Sequence, residues 1–96
     1  MKFSCEKALL SAAVSVASRA VAAKSSIPAM EGILIEAGSQ LRLTGYNLET
    51  GIQATVPAEI TQRGSLVLSA RLFGEIVRKM ADDMVVFSAE GYMVNI

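Results

Sequence analysis

The chain has 96 residues, which allows one domain with a single modest core. Nine basic residues balance nine acidic ones, so net charge announces no polyanionic partner. With no histidine and a single cysteine, Cys5, the chain lacks the residues for Ser-His-acid catalysis, a disulfide framework or a thiolate- and imidazole-bound metal centre.

Apolar residues make up 52% of the chain and aromatics only 5%, which predicts a core of Ala, Val, Ile, Leu and Met with apolar surface left for a partner. No apolar run reaches the length of a membrane span. Residues 1–23 resemble a signal peptide in their early lysine, apolar stretch and small residues near Ala23. Glu6, Lys7 and Arg19 interrupt that pattern and serines dilute it. The expectation is a cytoplasmic protein that keeps this segment. A mature N-terminus near Lys24 would mark the alternative, a small secreted domain.

Residues 1–5 read as a short strand carrying Cys5, a buried structural thiol. Residues 6–21 read as a helix, rich in Ala and Leu, with Ser4 as its N-cap. Leu10, Ala13, Val14, Ala17 and Val21 fall at helical spacing and form the stripe to be buried. Lys7, Ser11, Ser15, Ser18 and Ala22 fall on the other side, a slim face without acid. Such a face can pass close to a partner without gripping it. Residues 24–28 form a loop, because Pro28 holds Ile27 extended.

Residues 31–56 predict three antiparallel strands by their period-two alternation and glycine-containing breaks. One face carries Ile33, Ile35, Leu41, Leu43, Ile52 and Val56 and needs a cover. Pro57 ends the third strand, since it cannot donate to a ladder. Residues 62–64 predict a turn and 65–68 a strand. Ser69 caps a second helix over residues 70–80. Its stripe is Leu72, Phe73, Ile76, Val77 and Met80; Arg71, Glu75 and Arg78 hold another face, with Lys79 beside it. Asp82 and Asp83 break the helix. Residues 84–89 predict a strand, 90–91 a turn and 92–96 a last strand.

The predicted order repeats: strand, helix, three strands, then strand, helix, two strands. The second half is one strand short, so a strand edge is left open to pairing with another copy. Charge is also segregated. The two helices with the loop after the first hold six basic residues (Lys7, Arg19, Lys24, Arg71, Arg78, Lys79) against Glu6 and Glu75, which leaves the remainder acidic. Helices lying on one side would give that side a basic field despite zero net charge. No glycine-rich phosphate loop is present, and Asp82-Asp83 reads as a solvated turn.

Four stretches in order carry a resemblance: MKFSCEKALL at the start, residues 24–28, LRLTGYNLETGI over residues 41–52 and SARLFGEIVRKM over residues 69–80. Together they resemble the first domain of the bacterial DNA polymerase III beta subunit family, the sliding clamps. The resemblance implies an α+β DNA clamp fold. Its unit is a duplicated strand-helix-three-strand motif, with two helices packed on one face of antiparallel sheet and the last strand missing. Residues 1–96 would be the first domain, truncated near its C-terminal end.

The family further implies a non-catalytic, cytoplasmic processivity factor without a cofactor or membrane contact. It forms a homodimeric ring that encircles duplex DNA without sequence preference and tethers the replicative polymerase. DNA polymerase III subunits and the clamp loader bind through later domains absent here. Carried over residue by residue, Lys24, Arg71, Arg78 and Lys7 would meet DNA, and Leu72 and Ile76 would lie near a subunit interface. The competing expectation is a non-catalytic α+β interaction module that associates through its open sheet edge and never touches DNA.

Overall fold

The computed structural model describes residues 1–20, 32–46, 51–90 and 93–96. In chain order they form β1 (Lys2–Glu6), α1 (Lys7–Ser18), β2 (Gly32–Ala37), β3 (Leu41–Tyr46), β4 (Gly51–Val56), β5 (Glu59–Gln62), β6 (Gly64–Ser69), α2 (Ala70–Lys79), β7 (Met84–Glu90) and β8 (Met93–Asn95). The fold is α+β, as expected. The antiparallel β-layer is divided into two four-stranded sheets, ordered β5-β1-β7-β8 and β4-β3-β2-β6.

The meander over β2, β3 and β4 follows its alternation. Leu41 pairs with Ala37 and Val56, and Leu43 with Ile35 and Ala54, so inward residues stand opposite inward residues. Ile33, Ile35, Leu41 and Leu43 are fully buried and Ile52 is half-buried. Pro57 does end β4, but residues 59–62 are a strand where only a turn was expected at 62–64. Ile52, Ala54, Val56, Ala58 and Ile60 all point inward across the proline, while Gln53, Thr55, Pro57, Glu59 and Thr61 point out. Residues 51–62 therefore behave as one bent strand that leaves β3 in one sheet and joins β1 in the other. Gly64 then lets the chain pass Met1, where an added Cβ would stand 2.9 Å from the Met1 Cβ.

The halves are related by pairing as well as by order. β1 pairs with β7, the first strand after the second helix; β6 pairs with β2, the first described strand after the first helix. One core joins both sheets and both helices. At its centre Phe87 stacks on Phe3 at 4.8 Å and meets the edge of Phe73 at 6.1 Å, which ties the first sheet to α2. Cys5 is buried in this core, and burial pushes its thiol up to about 11.

α1 starts directly out of β1. Ser4 is not its cap; it sits inside β1, and Glu6 occupies the cap position without a side-chain bond. The Lys7 N–H instead donates to the Asp83 carbonyl at 2.7 Å, so a residue remote in sequence satisfies an end of α1. Leu10, Ala13, Val14 and Ala17 form the buried stripe; Val21 and Ala22 lie outside the described residues. In α2 the Ser69 hydroxyl accepts from the Leu72 N–H at 3.4 Å, and Arg78 and Lys79 complement the helix dipole in the last turn. Its stripe is narrower than spacing predicts. Phe73 and Val77 are buried and Met80 half-buried, whereas Leu72 is 58% exposed and Ile76 41%.

Candidate nucleic-acid interface

α1 and α2 lie side by side, α1 resting mainly on β1 to β4 and α2 on α1 and β6. They approach closely at Gly74, where an added Cβ would meet the Val14 Cγ1 at 3.4 Å. A small residue at that point keeps the helices close, with room for little more than a methyl group between them. Between them runs a groove lined on the α1 side by Ser11, Ser15 and Ser18 and on the α2 side by Arg71, Glu75 and Arg78.

Arg71 and Arg78 are seven residues apart, so they project from nearly the same side of α2 and stand roughly 10 Å apart along its axis. Both are exposed. That separation suits two different phosphates of one strand, whose charges repeat about every 3.4 Å of duplex axis. The serines opposite offer short hydroxyls and no acid. Glu75 is the one carboxylate lining this groove among the described residues.

The expected DNA-facing residues divide. Arg71 and Arg78 come together in the groove. Lys7 lies at its end, lining a neighbouring cleft with Arg78, Glu6 and Asp83, and is half-buried. Its Nζ donates to the Met80 carbonyl, one of the unpaired acceptors at the C-terminus of α2. Lys7 thus ties the start of α1 to the end of α2. Lys24 lies outside the described residues. The outward side of α1 is less polar than predicted: Leu9 is 41% exposed and Val16 38%, beside exposed Ala8, Ala12 and Ser15. Helical spacing alone placed neither Leu9 nor Val16, since both fall between the two stripes.

Among the described residues no cluster of three His, Cys, Asp or Glu residues is placed to hold a metal ion. Among them too, no helix is long and apolar enough to cross a membrane.

The family described as DNA polymerase III beta subunit, N-terminal domain, matches residues 1–96. The beta sliding clamp of Synechocystis sp. is 36% identical over 85 residues, covering 85% of this chain and 22% of that protein. The beta sliding clamp of Bacillus subtilis is 36% identical over 89 residues, covering 83% of this chain and 24% of that protein. The solved DNA polymerase sliding clamp of Bacillus subtilis superposes with a TM-score of 0.93 at 32% identity, over 98% of this chain and 27% of that one. The beta subunit of the Streptococcus pyogenes DNA polymerase gives 0.88 at 27% identity, over 99% and 29%. The chain thus spans roughly a quarter of the length of the relatives it matches, from 22% to 30% among the curated ones. With its two antiparallel sheets, its paired helices and its whole length matched, the chain belongs to the DNA polymerase III beta subunit family and corresponds to the N-terminal domain of that family.

Proposed function

We propose that this chain is the N-terminal part of a ring-shaped, non-catalytic clamp that encircles duplex DNA and tethers the replicative polymerase. The observation that carries this is the groove between the helices, where Arg71 and Arg78 face a row of serines. Two cations on a slim surface attract phosphates without reading bases, which is what a sliding contact requires. In this reading Lys24 adds a third cation after α1. Lys7 supplies charge at the groove's end while its ammonium holds the Met80 carbonyl. Binding is sequence-independent, and processivity comes from topology rather than affinity. The ring is a homodimer, the polymerase and clamp loader engage the rest of the protein, and the whole acts in the cytoplasm.

A chimera tests this: residues 1–96 replace the matching part of the Bacillus subtilis beta sliding clamp, and a loader places it on nicked circular DNA. The expected result is retention on circles and loss once the DNA is linearised. Arg71→Ala and Arg78→Ala should each reduce the dependence of log affinity on log salt by about 1, because each leaves roughly one phosphate un-neutralised and its counterion in place. Equal retention on linear and circular DNA, or an unchanged salt slope in both variants, refutes the assignment.

A further inference from the structure

One acidic residue stands among the cations of α2, and its surroundings give it a task. Phe73 and Val77, buried beneath the helix, lie two positions before and two after Glu75. At about 100° per residue both fall on the opposite side of the helix from Glu75, which therefore points almost straight away from the core. Of the four positions three or four residues from Glu75, three are cationic (Arg71, Arg78 and Lys79) and Leu72 is the fourth. All three cations are exposed, whereas Glu75 is half-buried. A side chain at the crest of a helix keeps such cover only where its neighbours lie against it, and the long stems of arginine and lysine are suited to that.

The spacing puts Glu75 ~6 Å along the axis from Arg71 and ~4.5 Å from Arg78. Both separations are shorter than the screening length of ~8 Å at physiological salt, so the carboxylate acts on both guanidiniums. Across the groove the only polar side chains α1 offers are those of Ser11, Ser15 and Ser18. Among the described residues lining the groove, Glu75 is thus the single negative charge that competes with a phosphate for these cations. Arg78 also borders the cleft of Glu6 and Asp83, which Arg71 does not line. The hold of Glu75 on Arg71 is accordingly the less shared of the two.

We propose that Glu75 is a built-in stand-in for phosphate, which holds Arg71 and Arg78 when DNA does not and so keeps the clamp from gripping. The proposal rests on the clamp reading and adds to it the residue that sets how freely the ring moves. Each phosphate must displace the carboxylate, which weakens its own contact. When the duplex moves on, the carboxylate takes back the guanidinium that a phosphate gives up. The interval between two phosphates is thereby stabilised relative to the contact itself, and the barrier to a step falls. A unit charge at these distances alters the hold about three- to tenfold.

The chimera with the Bacillus subtilis clamp, loaded on DNA and tracked as single rings on a stretched duplex, tests this. Glu75→Gln removes the charge and keeps the shape. It should slow one-dimensional diffusion about three- to tenfold at low salt, with the difference shrinking as salt rises. Glu75→Ala should slow it likewise. In an Arg71→Ala background the slowing by Glu75→Gln should fall to less than half, because the carboxylate acts through that guanidinium. Glu59→Gln makes the same change in net charge on the outer side of β5 and should slide like the unmodified ring. Rings that stay on circles but slide equally fast with and without the Glu75 carboxylate overturn the proposal and leave the clamp reading standing. So does an equal slowing by Glu59→Gln, or a slowing undiminished by Arg71→Ala. An unmodified chimera that never stays on circles overturns both.

Discussion

Gly74→Ala sets two effects of similar size against each other at the crossing of the helices. Alanine is favoured over glycine inside a helix by about 0.8–1 kcal/mol. Against that, the new methyl meets the Val14 Cγ1 at 3.4 Å. Val14 is β-branched and 3% exposed, so it cannot rotate aside without disturbing the core. A carbon pair at this separation is only slightly inside its optimum of ~3.5–4.0 Å, however, so the cost is a few tenths of a kcal/mol. Propensity wins, and the net change is a stabilisation of about 0.5 kcal/mol. For a domain of this size that raises Tm by about 2–4 °C. Gly74→Val adds two further methyl groups on the same line and should destabilise by about 1–3 kcal/mol through overpacking. Thermal and urea denaturation followed by circular dichroism measure both. A loss above ~1 kcal/mol in Gly74→Ala would show that the helices have no room for a methyl and refute the reasoning. Because Arg71 and Arg78 are untouched, the alanine variant also separates helix packing from phosphate contact.

Replacing Lys7 by Met keeps the aliphatic stem but removes the donor to the Met80 carbonyl. The expected cost is about 1 kcal/mol, read as a lower urea midpoint with an unchanged m-value. For Cys5, burial raises the thiol from 9.0 to about 11, so the folded state holds its proton more tightly than the unfolded one. That contribution is fully present below pH 9 and is lost as pH rises toward about 11. Cys5→Ala should therefore flatten the fall in stability across that window relative to the unmodified chain. Alkylation by iodoacetamide at neutral pH should proceed only through unfolding, and fast labelling of native protein would contradict the burial of Cys5.

The meander was legible because alternation and glycine-bearing breaks are local signals, and its register followed from keeping apolar residues on one face. β5 escaped notice because Ile60 is its only apolar residue; its pairing with β1, not its composition, makes it a strand. Ser4 was the wrong cap for a related reason. The acceptor for the Lys7 N–H comes from Asp83, far along the chain. Leu72 and Ile76 show the limit of helical periodicity. Spacing says which residues share a side of a helix, but not whether anything lies over that side. In the candidate site, the common face of Arg71 and Arg78 follows from a spacing of seven. Their nearness to Ser11, Ser15 and Ser18 depends on the crossing at Gly74, which no single helix announces.

The bent strand of residues 51–62 is shared property of the two sheets, hydrogen-bonded to β3 on one side of Pro57 and to β1 on the other. Neither sheet can melt without releasing a length of backbone that the other needs. Amide protons of β1 and β3 should accordingly exchange with solvent through one common opening, and a protease that nicks the chain near Pro57 should loosen the whole molecule rather than liberate a surviving half.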